Sequence, residues 1–287
     1  MSEFVDLHTH TQLSDGTYSP SDIVKLAKEK GLKAIAITDH DTIDGIEEAI
    51  DMGNKVDIEV IPGIEFSTIY DEKNDFEVHI LGYFMNYKSD DFKKILLFIK
   101  NSREKRNIAM LESLQNIGID ITINDIKSIA KGEIITRAHF AEAIFKKGYV
   151  KSKKAVFNNY IVPNKPGYVK REALTPKMCI EAIKNSGGLA FLAHPTLYGV
   201  GYKDIENIII NLKKLGLVGI EAEYYSYTKE QRKNIKKIAQ KYNLLISGGS
   251  DFHGENRLGV ELGYGLGNLR VNYNYVNDMK RYINNLK

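Results

Sequence analysis

The chain lacks the features of a secreted or membrane protein. Its 287 residues include one cysteine and no tryptophan, and a lone cysteine cannot close an internal disulfide, which is typical of a reducing compartment. No apolar run approaches the ~18 residues of a membrane-spanning helix, and the first residues do not combine a basic segment with an apolar one. We therefore expect a cytoplasmic protein without a membrane partner, in which Cys179 is a packing residue.

An excess of charge of one sign is also absent. The 40 lysines and arginines nearly balance 37 aspartates and glutamates, for a formal net charge of +3. A broad basic surface is therefore not expected, and we expect no stable complex with a long nucleic acid. The sequence also lacks a glycine-rich phosphate loop, a dinucleotide fingerprint and a nucleophilic serine or cysteine grouped with histidine. These absences argue against loop-bound nucleotide chemistry and against a covalent serine or cysteine intermediate.

What the chain does have is histidine beside acidic residues. Six of its seven histidines stand in short clusters within or just after strand-like runs. Neutral imidazole and carboxylate are the ligands that borderline divalent metals bind best. With nearby acids, the predicted metal ligands number nine: His8, His10, Asp15, His40, Glu65, His79, His194, Asp251 and His253. One ion takes only about four to six ligands of this kind, so the sequence predicts a site for two or three divalent ions.

The spacing of apolar residues predicts alternating strands and helices around this site. We predict strands at 4–8, 34–38, 58–66, 76–83, 188–194, 218–222 and 244–249, and helices at 19–31, 46–53, 204–215 and 228–242. Residues 90 to about 183 are instead predicted to be helical, with a long helix from 91 to 118 whose residues 103–106 we interpret as a solvated face. This order predicts a parallel α/β barrel from residues 1–89 and 184–287, with an inserted, mainly helical cap at 90–183.

Several predicted ligands follow the ends of strands, where barrel enzymes gather their chemistry. His8 and His10 are two residues apart, so strand alternation directs both rings to one face, and Asp251 and His253 repeat this spacing. We expect Glu65, with its two oxygens, to bridge two ions. His79 is internal to a strand, where a histidine of the core is the alternative interpretation.

Two neighbours of the histidines have expected roles of their own. Asp39 and Asp41 flank His40, and a carboxylate beside a bound imidazole orients it or holds a neighbouring ion. Pro195 follows His194, and we expect it to keep the His194 backbone extended.

These motifs resemble those of the polymerase and histidinol phosphatase (PHP) family of metal-dependent phosphoesterases. The matching segments are DLHTH at 6–10, SDG at 14–16, TDHD at 38–41, GIE at 63–65, His79, AHP at 193–195 and GSDFH at 249–253. The resemblance implies a distorted (β/α)7 barrel that binds three metals through the nine positions named above. It also implies manganese as the expected metal, with iron or zinc as alternatives.

The predicted cap is similar to that of single-chain PHP proteins that hydrolyse nucleoside 3′,5′-bisphosphates or trim short RNA from its 5′ end. The similar segments include ITRAHFA at 135–141, GYV at 148–150, AVF at 155–157 and KPGYV at 165–169. The resemblance implies hydrolysis of a small phosphorylated nucleotide or short oligonucleotide by a hydroxide that bridges two metals. Arg137 and His139 are the candidate catalytic residues, as a phosphate clamp and as a contact to the departing oxygen.

Weaker candidates and other functions remain open. Lys165, Arg171 and Arg257 are further cations for substrate binding, and Tyr18 is a candidate to stack on a base. A histidinol-phosphate phosphatase, or another small phosphomonoesterase, is the second hypothesis. A non-enzymatic metal- or nucleotide-binding protein is a third, although structural metal sites are usually closed around one ion.

Overall fold

The computed structural model describes residues 3–172 and 174–286, and eight strands in this part form one sheet. The strands are β1 (Phe4–Asp6), β2 (Ala34–Ile37), β3 (Glu59–Asp71), β4 (Phe76–Tyr83), β5 (Leu189–Leu192), β6 (Gly219–Tyr224), β7 (Leu245–Gly249) and β8 (Val271–Asn272). Their order in the sheet is β7-β6-β5-β4-β3-β2-β1-β8. The strands predicted from the sequence correspond to β1 to β7.

The sheet curls into a nearly closed barrel because β1 and β7 meet. The Leu7 N–H, just after β1, donates to the Gly248 carbonyl of β7 at 3.1 Å, and the His10 N–H donates to the Phe252 carbonyl at 2.9 Å. Thr9 and Phe252 form an isolated parallel bridge at the same seam. The predicted α/β barrel is therefore confirmed, with β1 to β7 around it.

The expectation that all barrel strands are parallel is wrong. β4 runs antiparallel to both β3 and β5, and β8 runs antiparallel to β1. The reason is the connection at residues 72–75, which is short enough for a hairpin, whereas a parallel pair needs a crossover of about a dozen residues or more. As a result Ser67 of β3 lies directly opposite His79 of β4.

Ten α-helices are present in the described part of the chain, and their starts follow local rules. They are α1 (Pro20–Glu29), α2 (Ile46–Val56), α3 (Asp90–Asn116), α4 (Ile123–Lys127), α5 (Arg137–Lys146), α6 (Lys153–Val156), α7 (Pro176–Asn185), α8 (Tyr202–Leu215), α9 (Lys229–Lys241) and α10 (Asn274–Asn284). A π-helical turn, Phe157–Ile161, follows α6. At α1, the Ser19 side chain accepts from the Asp22 N–H and Pro20 occupies the first turn, a favourable start. None of the described helices is long and apolar enough to cross a membrane.

The predicted cap segment has a hydrophobic core of its own. Met110, Leu114, Ile126, Phe140 and Ile144 belong to a buried cluster formed by residues between 110 and 169. The first turns of α3 and the apolar face of α7 pack instead with the strands of the barrel, and Cys179 is buried there. The division of the chain at residues 90 and 183 stays a prediction.

Candidate metal and phosphate site

The nine predicted ligands converge at one end of the barrel. Eight of them form three groups in which one ligand atom from each member lies within 4.8 Å of the others. The groups are His10, Asp15, His40 and His253; His8, His10, Glu65 and Asp251; and His40, Glu65 and His79. The ninth, His194, brings its Nε2 to 2.9 Å from Glu65 Oε1. Because the groups share members, they describe one site of several adjacent centres.

Glu65 of β3 lies at the centre of this site. Five imidazole nitrogens approach its two oxygens: His8 Nε2 at 3.1 Å, His10 Nε2 at 3.3 Å, His40 Nδ1 at 3.2 Å, His79 Nδ1 at 2.9 Å and His194 Nε2 at 2.9 Å. Three of these five nitrogens, His8 Nε2, His10 Nε2 and His40 Nδ1, are buried without a hydrogen-bond partner, and His10 Nδ1 is also buried without one. Hydrogen bonding alone does not explain this arrangement.

The donor set fits divalent metal ions. Buried polar atoms without a partner are rare in native proteins and call for a cause such as an ion. Despite burial, the His253 and His40 rings keep the pKa of Asp15 well below its usual range, and His8 and His40 do the same for Glu65. Burial lowers the pKa of His40 to about 4. Ionised carboxylates and neutral imidazoles are the forms that bind metal.

His10 shows that the site requires positive charge. Its burial would lower its pKa, but Asp251 and Glu65 on either side raise the pKa to about 9. A cation between these groups is therefore strongly favoured, and a metal ion supplies that charge while leaving the imidazole free as a ligand.

Surrounding side chains hold the ligands in place. Glu221 of β6 accepts from His8 Nδ1 at 3.0 Å and from the His194 N–H at 2.8 Å. Asp39 accepts from the Thr11 N–H and hydroxyl and from the Ser14 hydroxyl, which fixes the loop that carries Asp15. Neither Asp39 nor Asp41 belongs to the three ligand groups. Such outer contacts orient the ligands and tune their basicity. Glu221 was not identified from the sequence.

The backbone near the site adopts unusual conformations. His194 has φ 25° and ψ 54°, so the expectation of an extended backbone before Pro195 is wrong. Its N–H is held by Glu221 and its ring by Glu65, and these contacts outweigh the preference imposed by proline. Asp41 and Asp251 also have positive φ, at 57° and 50°. Strain of this kind is concentrated at functional sites.

A second feature adjoins the ligand cluster, a cavity of about 170 Å³ that we name the arginine pocket. Four guanidinium groups line it, together with the ligand candidates Asp15, His40 and His79: Arg103, Arg106, Arg137 and Arg171. Arg103 and Arg106 come from α3, Arg137 begins α5, and Arg171 lies before α7. The cap segment therefore supplies the cations that face the cluster.

Three of these four arginines have a carboxylate partner. Asp41 accepts from Arg103 Nε at 2.9 Å and from Arg171 at 3.0 Å, and although burial opposes it, the two cations lower the pKa of Asp41 to about 2. Glu77 pairs with Arg137 at 3.1 Å.

Arg106 differs from the other three. It is 6% exposed and donates only to the Asn107 side chain and the Ile135 carbonyl, with no ion pair to a described carboxylate. Burial, and then repulsion by the other three arginines, hold its pKa well below the usual value.

The interpretation of residues 103–106 as a solvated face is wrong for half of the segment. Glu104 and Lys105 are exposed, but Arg103 and Arg106 are each only 6% exposed. Positions three apart share one face of a helix, and that face of α3 points toward the barrel. Ile99 and Met110 are apolar, buried and four residues from Arg103 and Arg106 respectively, so the helical spacing of these apolar residues could have indicated the buried face.

The other predicted cap and substrate residues are distributed more widely. Arg137 lines the arginine pocket, whereas His139 is buried and its Nδ1 accepts from the Thr136 N–H at 3.1 Å, which closes a capping box at α5. Lys165 is exposed and does not line the arginine pocket. Tyr18 is 36% exposed, with its ring 5.5 Å from that of Phe252. The roles of all four stay predictions.

Comparison with known proteins agrees with this geometry. A family model described as the PHP domain matches residues 6–157. The chain is 35% identical over 253 residues to a 5′-3′ exoribonuclease of Haemophilus influenzae, covering 88% of this chain and 91% of that protein. It is 30% identical over 261 residues to a 3′,5′-nucleoside bisphosphate phosphatase of Chromobacterium violaceum, covering 91% and 90%.

A solved structure shares the fold over most of the chain. An amidohydrolase of Chromobacterium violaceum, with bound sulfate and no metal, matches with a TM-score of 0.83 at 30% identity over 90% of this chain and 89% of that chain. The barrel, the convergent histidines and carboxylates, and the matched family model lead to one assignment. The chain belongs to the PHP family and is a metal-dependent phosphoesterase.

Proposed function

We propose that the enzyme hydrolyses the 3′-phosphate of nucleoside 3′,5′-bisphosphates. Relatives that span most of the chain are named a 3′,5′-nucleoside bisphosphate phosphatase and a 5′-3′ exoribonuclease, and both names describe nucleotide phosphoesters. The Chromobacterium structure was solved with sulfate, an anion with the shape and charge of phosphate. A substrate with two phosphates needs two anion sites.

The observation that carries this proposal is the arginine pocket beside the ligand cluster. Its four guanidinium groups pair with only two carboxylates, Asp41 and Glu77, so the arginines carry about two more positive charges than these two partners neutralise. A phosphate monoester carries close to two negative charges at pH 7, so it would neutralise this excess. The planar fork of arginine also matches phosphate oxygens.

We assign the two phosphates to the two sites. The nine ligand candidates would hold two or three divalent ions, with manganese expected. Such ions supply a water of lowered pKa and neutralise phosphoryl oxygens when bound. Glu221 orients His8, and Asp41 fixes Arg103 and Arg171 against the barrel. The arginines bind the phosphate that is not cleaved and thereby position the 3′-phosphate at the cluster.

The second hypothesis, histidinol-phosphate hydrolysis, fits the pocket less well. Histidinol phosphate has one phosphate and a cationic amine, and the arginine pocket would repel the amine while its excess charge stayed unpaired. A pocket built for one phosphate beside the metals would not need Arg106 in a buried position without a carboxylate.

The test compares three substrates with manganese-loaded protein. Phosphate release is measured with adenosine 3′,5′-bisphosphate, adenosine 3′-phosphate and histidinol phosphate. We expect kcat/KM for adenosine 3′,5′-bisphosphate to exceed that for adenosine 3′-phosphate by about tenfold or more. The reason is that adenosine 3′-phosphate has no 5′-phosphate to form charged hydrogen bonds with the arginine pocket. Equal turnover of the two nucleotides, or preference for histidinol phosphate, would contradict the proposal.

A further inference from the structure

A short segment before α7 forms one wall of the arginine pocket. We name residues 168–171 the strap, and its members Tyr168, Val169 and Arg171 line the pocket. The strap belongs to no helix or strand, and within the described part of the chain residues 169–171 form no backbone-to-backbone hydrogen bond. Side-chain contacts therefore decide where this wall lies.

The β3–β4 hairpin forms the neighbouring wall of the same pocket. Ser67, Ile69, Glu77 and His79 of the hairpin line it. The two strands are paired along the hairpin, and both belong to the barrel sheet. The turn at 72–75 is the tip of this hairpin. The hairpin is therefore a fixed support for a segment that has no strand partner of its own.

Two side chains of the strap reach the tip of the hairpin. The Tyr168 hydroxyl donates to Asp75 Oδ2, and Lys170 Nζ donates to the Glu72 carbonyl at 2.6 Å and lies 3.6 Å from Asp75 Oδ1. Asp75 Oδ1 is buried without a hydrogen bond, so the Lys170 ammonium group compensates its charge. Hydrogen bonds to an ionised group are stronger than those between neutral groups. We name the contacts of Asp75 with Tyr168 and Lys170 the clasp.

Arg171 is the residue of the arginine pocket that the clasp places. It directly follows Lys170, and its guanidinium group donates to the Ser67 carbonyl and, at 3.0 Å, to Asp41 Oδ2. These contacts hold the end of a long, flexible side chain, whereas the clasp holds the backbone from which that side chain starts. Because both ends are fixed, less conformational entropy is lost when the guanidinium group binds a phosphate.

We propose that Asp75 is a positioning residue for the second phosphate of the substrate and that it acts through Tyr168 and Arg171. This rests on the proposed function, in which the arginine pocket binds the phosphate that is not cleaved. Asp75 does not line the pocket and belongs to none of the three ligand groups, so its contribution is the place at which it holds the strap. Its loss weakens binding of that phosphate and leaves the chemical step at the metal ligands unchanged.

The charge of Asp75 makes the direction of the effect diagnostic. Asp75 contacts Tyr168 of the pocket wall, and a carboxylate near a cationic pocket repels an anion. If charge alone mattered, removing this carboxylate would tighten phosphate binding. Loss of positioning predicts the opposite, which is weaker binding. Tyr168→Phe separates the two effects further, because it breaks the same contact and leaves every charge in place.

The test uses the manganese-loaded full chain with adenosine 3′,5′-bisphosphate and adenosine 3′-phosphate as substrates. The variants are Asp75→Asn and Tyr168→Phe. Asparagine also tolerates the positive φ of 52° at position 75, so the turn is preserved. Asp71→Asn is the matched control, because Asp71 is a carboxylate of the same hairpin whose hydrogen bonds stay within the turn, to Lys73 and Asn74.

The expected change is in substrate binding. For both variants, KM for the bisphosphate should rise about fivefold, the effect of about 1 kcal/mol, while kcat stays within about twofold of wild type because only binding is lost. Calorimetric titration of adenosine 5′-phosphate should give a Kd that is weaker by the same factor. Both kcat/KM for adenosine 3′-phosphate and all constants of Asp71→Asn should stay unchanged. Because the two substitutions break one contact, the double variant should lose little more than either single variant.

The outcomes separate this inference from the proposed function. If wild-type protein turns over the bisphosphate no better than adenosine 3′-phosphate, the proposed function is overturned and this inference with it. If wild-type protein prefers the bisphosphate and both clasp variants keep its KM, only this inference is overturned. Equal losses on both substrates, or a tighter Kd for Asp75→Asn, would also overturn it, since the clasp would then act only on stability or only through its charge.

Discussion

Replacing Arg106 by methionine should stabilise the fold and impair the enzyme at the same time. Arg106 is buried, has no ion pair to a described carboxylate, and faces three other arginines across the arginine pocket. Methionine keeps much of the apolar volume of the side chain and removes the charge. The Ile135 carbonyl stays hydrogen-bonded after the change, because Arg103 and Asn107 also donate to it.

The magnitude follows from the cost of a buried charge. Replacing buried ionic groups by apolar ones of similar volume is often neutral or stabilising by about 1–4 kcal/mol, and the lost contact to Asn107 offsets roughly 1 kcal/mol of this. We expect a net gain of about 1–2 kcal/mol, which raises Tm by roughly 2–4 °C for a chain of this size. The measurement is thermal unfolding without phosphate.

Arg103→Met on the same helix is the matched control. Arg103 has the same 6% exposure but donates to Asp41. Removing it deletes charged hydrogen bonds worth about 1.5–3 kcal/mol, and Arg171 and the Ser67 N–H remain as partners of the buried Asp41 carboxylate. We therefore expect a lower Tm for Arg103→Met, opposite in sign to Arg106→Met.

Kinetics on two substrates complete the experiment. For Arg106→Met we expect kcat/KM to fall about 10–100-fold with adenosine 3′,5′-bisphosphate, the value of charged hydrogen bonds to one phosphate. With adenosine 3′-phosphate, the decrease in kcat/KM should be less than about threefold. This substrate already lacks the 5′-phosphate that Arg106 would bind, so removing the guanidinium group costs little more. A lower Tm for Arg106→Met, or equal losses on both substrates, would refute the reasoning.

Three further predictions concern the surroundings of the site. Glu221→Gln should weaken metal affinity by about 10–100-fold, because Glu221 contacts His8 and the His194 N–H and the substitution removes its charge. The metal content of the protein after dialysis checks this, and an unchanged content would contradict it. Asp41→Asn should lower unfolding free energy by about 3 kcal/mol or more, since two buried arginines lose their carboxylate; chemical denaturation measures this, and wild-type stability would count against it. Cys179 should resist iodoacetamide in the native protein, because it is buried and burial raises its pKa well above the usual value; a mass shift before unfolding would disprove this.

The positions of the ligands were predictable because they depend on short-range geometry. His8, His40, His194 and Asp251 each follow the last residue of a strand by two or three positions, and strands that converge at one end of a barrel bring such residues together. His8 and His10 flank Thr9, which pairs with Phe252 as an isolated parallel bridge beyond β1, and the alternation of side chains along this segment lets both rings reach Glu65. No knowledge of distant packing is needed for either inference.

The supporting residues depend on contacts between segments far apart in the chain. Glu221 lies 213 positions from His8, and an acid within the buried strand β6 gives no indication of its partner. The direction of β4 is a different case, because the connection between the predicted strands 58–66 and 76–83, residues 67–75, was already shorter than the crossover of about a dozen residues that a parallel pair needs. The φ of His194 could not be predicted from Pro195, since tertiary hydrogen bonds from Glu221 and Glu65 decide it.

The imidazole nitrogens around Glu65 and the guanidinium group of Arg106 favour ligands of opposite charge, and together they describe the ligand. Around Glu65, buried imidazole nitrogens without hydrogen-bond partners favour cations, while the buried Arg106, which has no ion pair to a described carboxylate, favours an anion in the arginine pocket. Asp15, His40 and His79 line the arginine pocket and also belong to the ligand groups, so a charge bound in one site acts on the other over a short, partly buried distance. Metal binding should therefore tighten phosphate binding, and by linkage phosphate should tighten metal binding by the same factor. Calorimetric titration of inorganic phosphate into wild-type and Arg106→Met protein, each with and without manganese, measures this coupling, and an equal phosphate Kd in the presence and absence of metal would show that the two sites act independently.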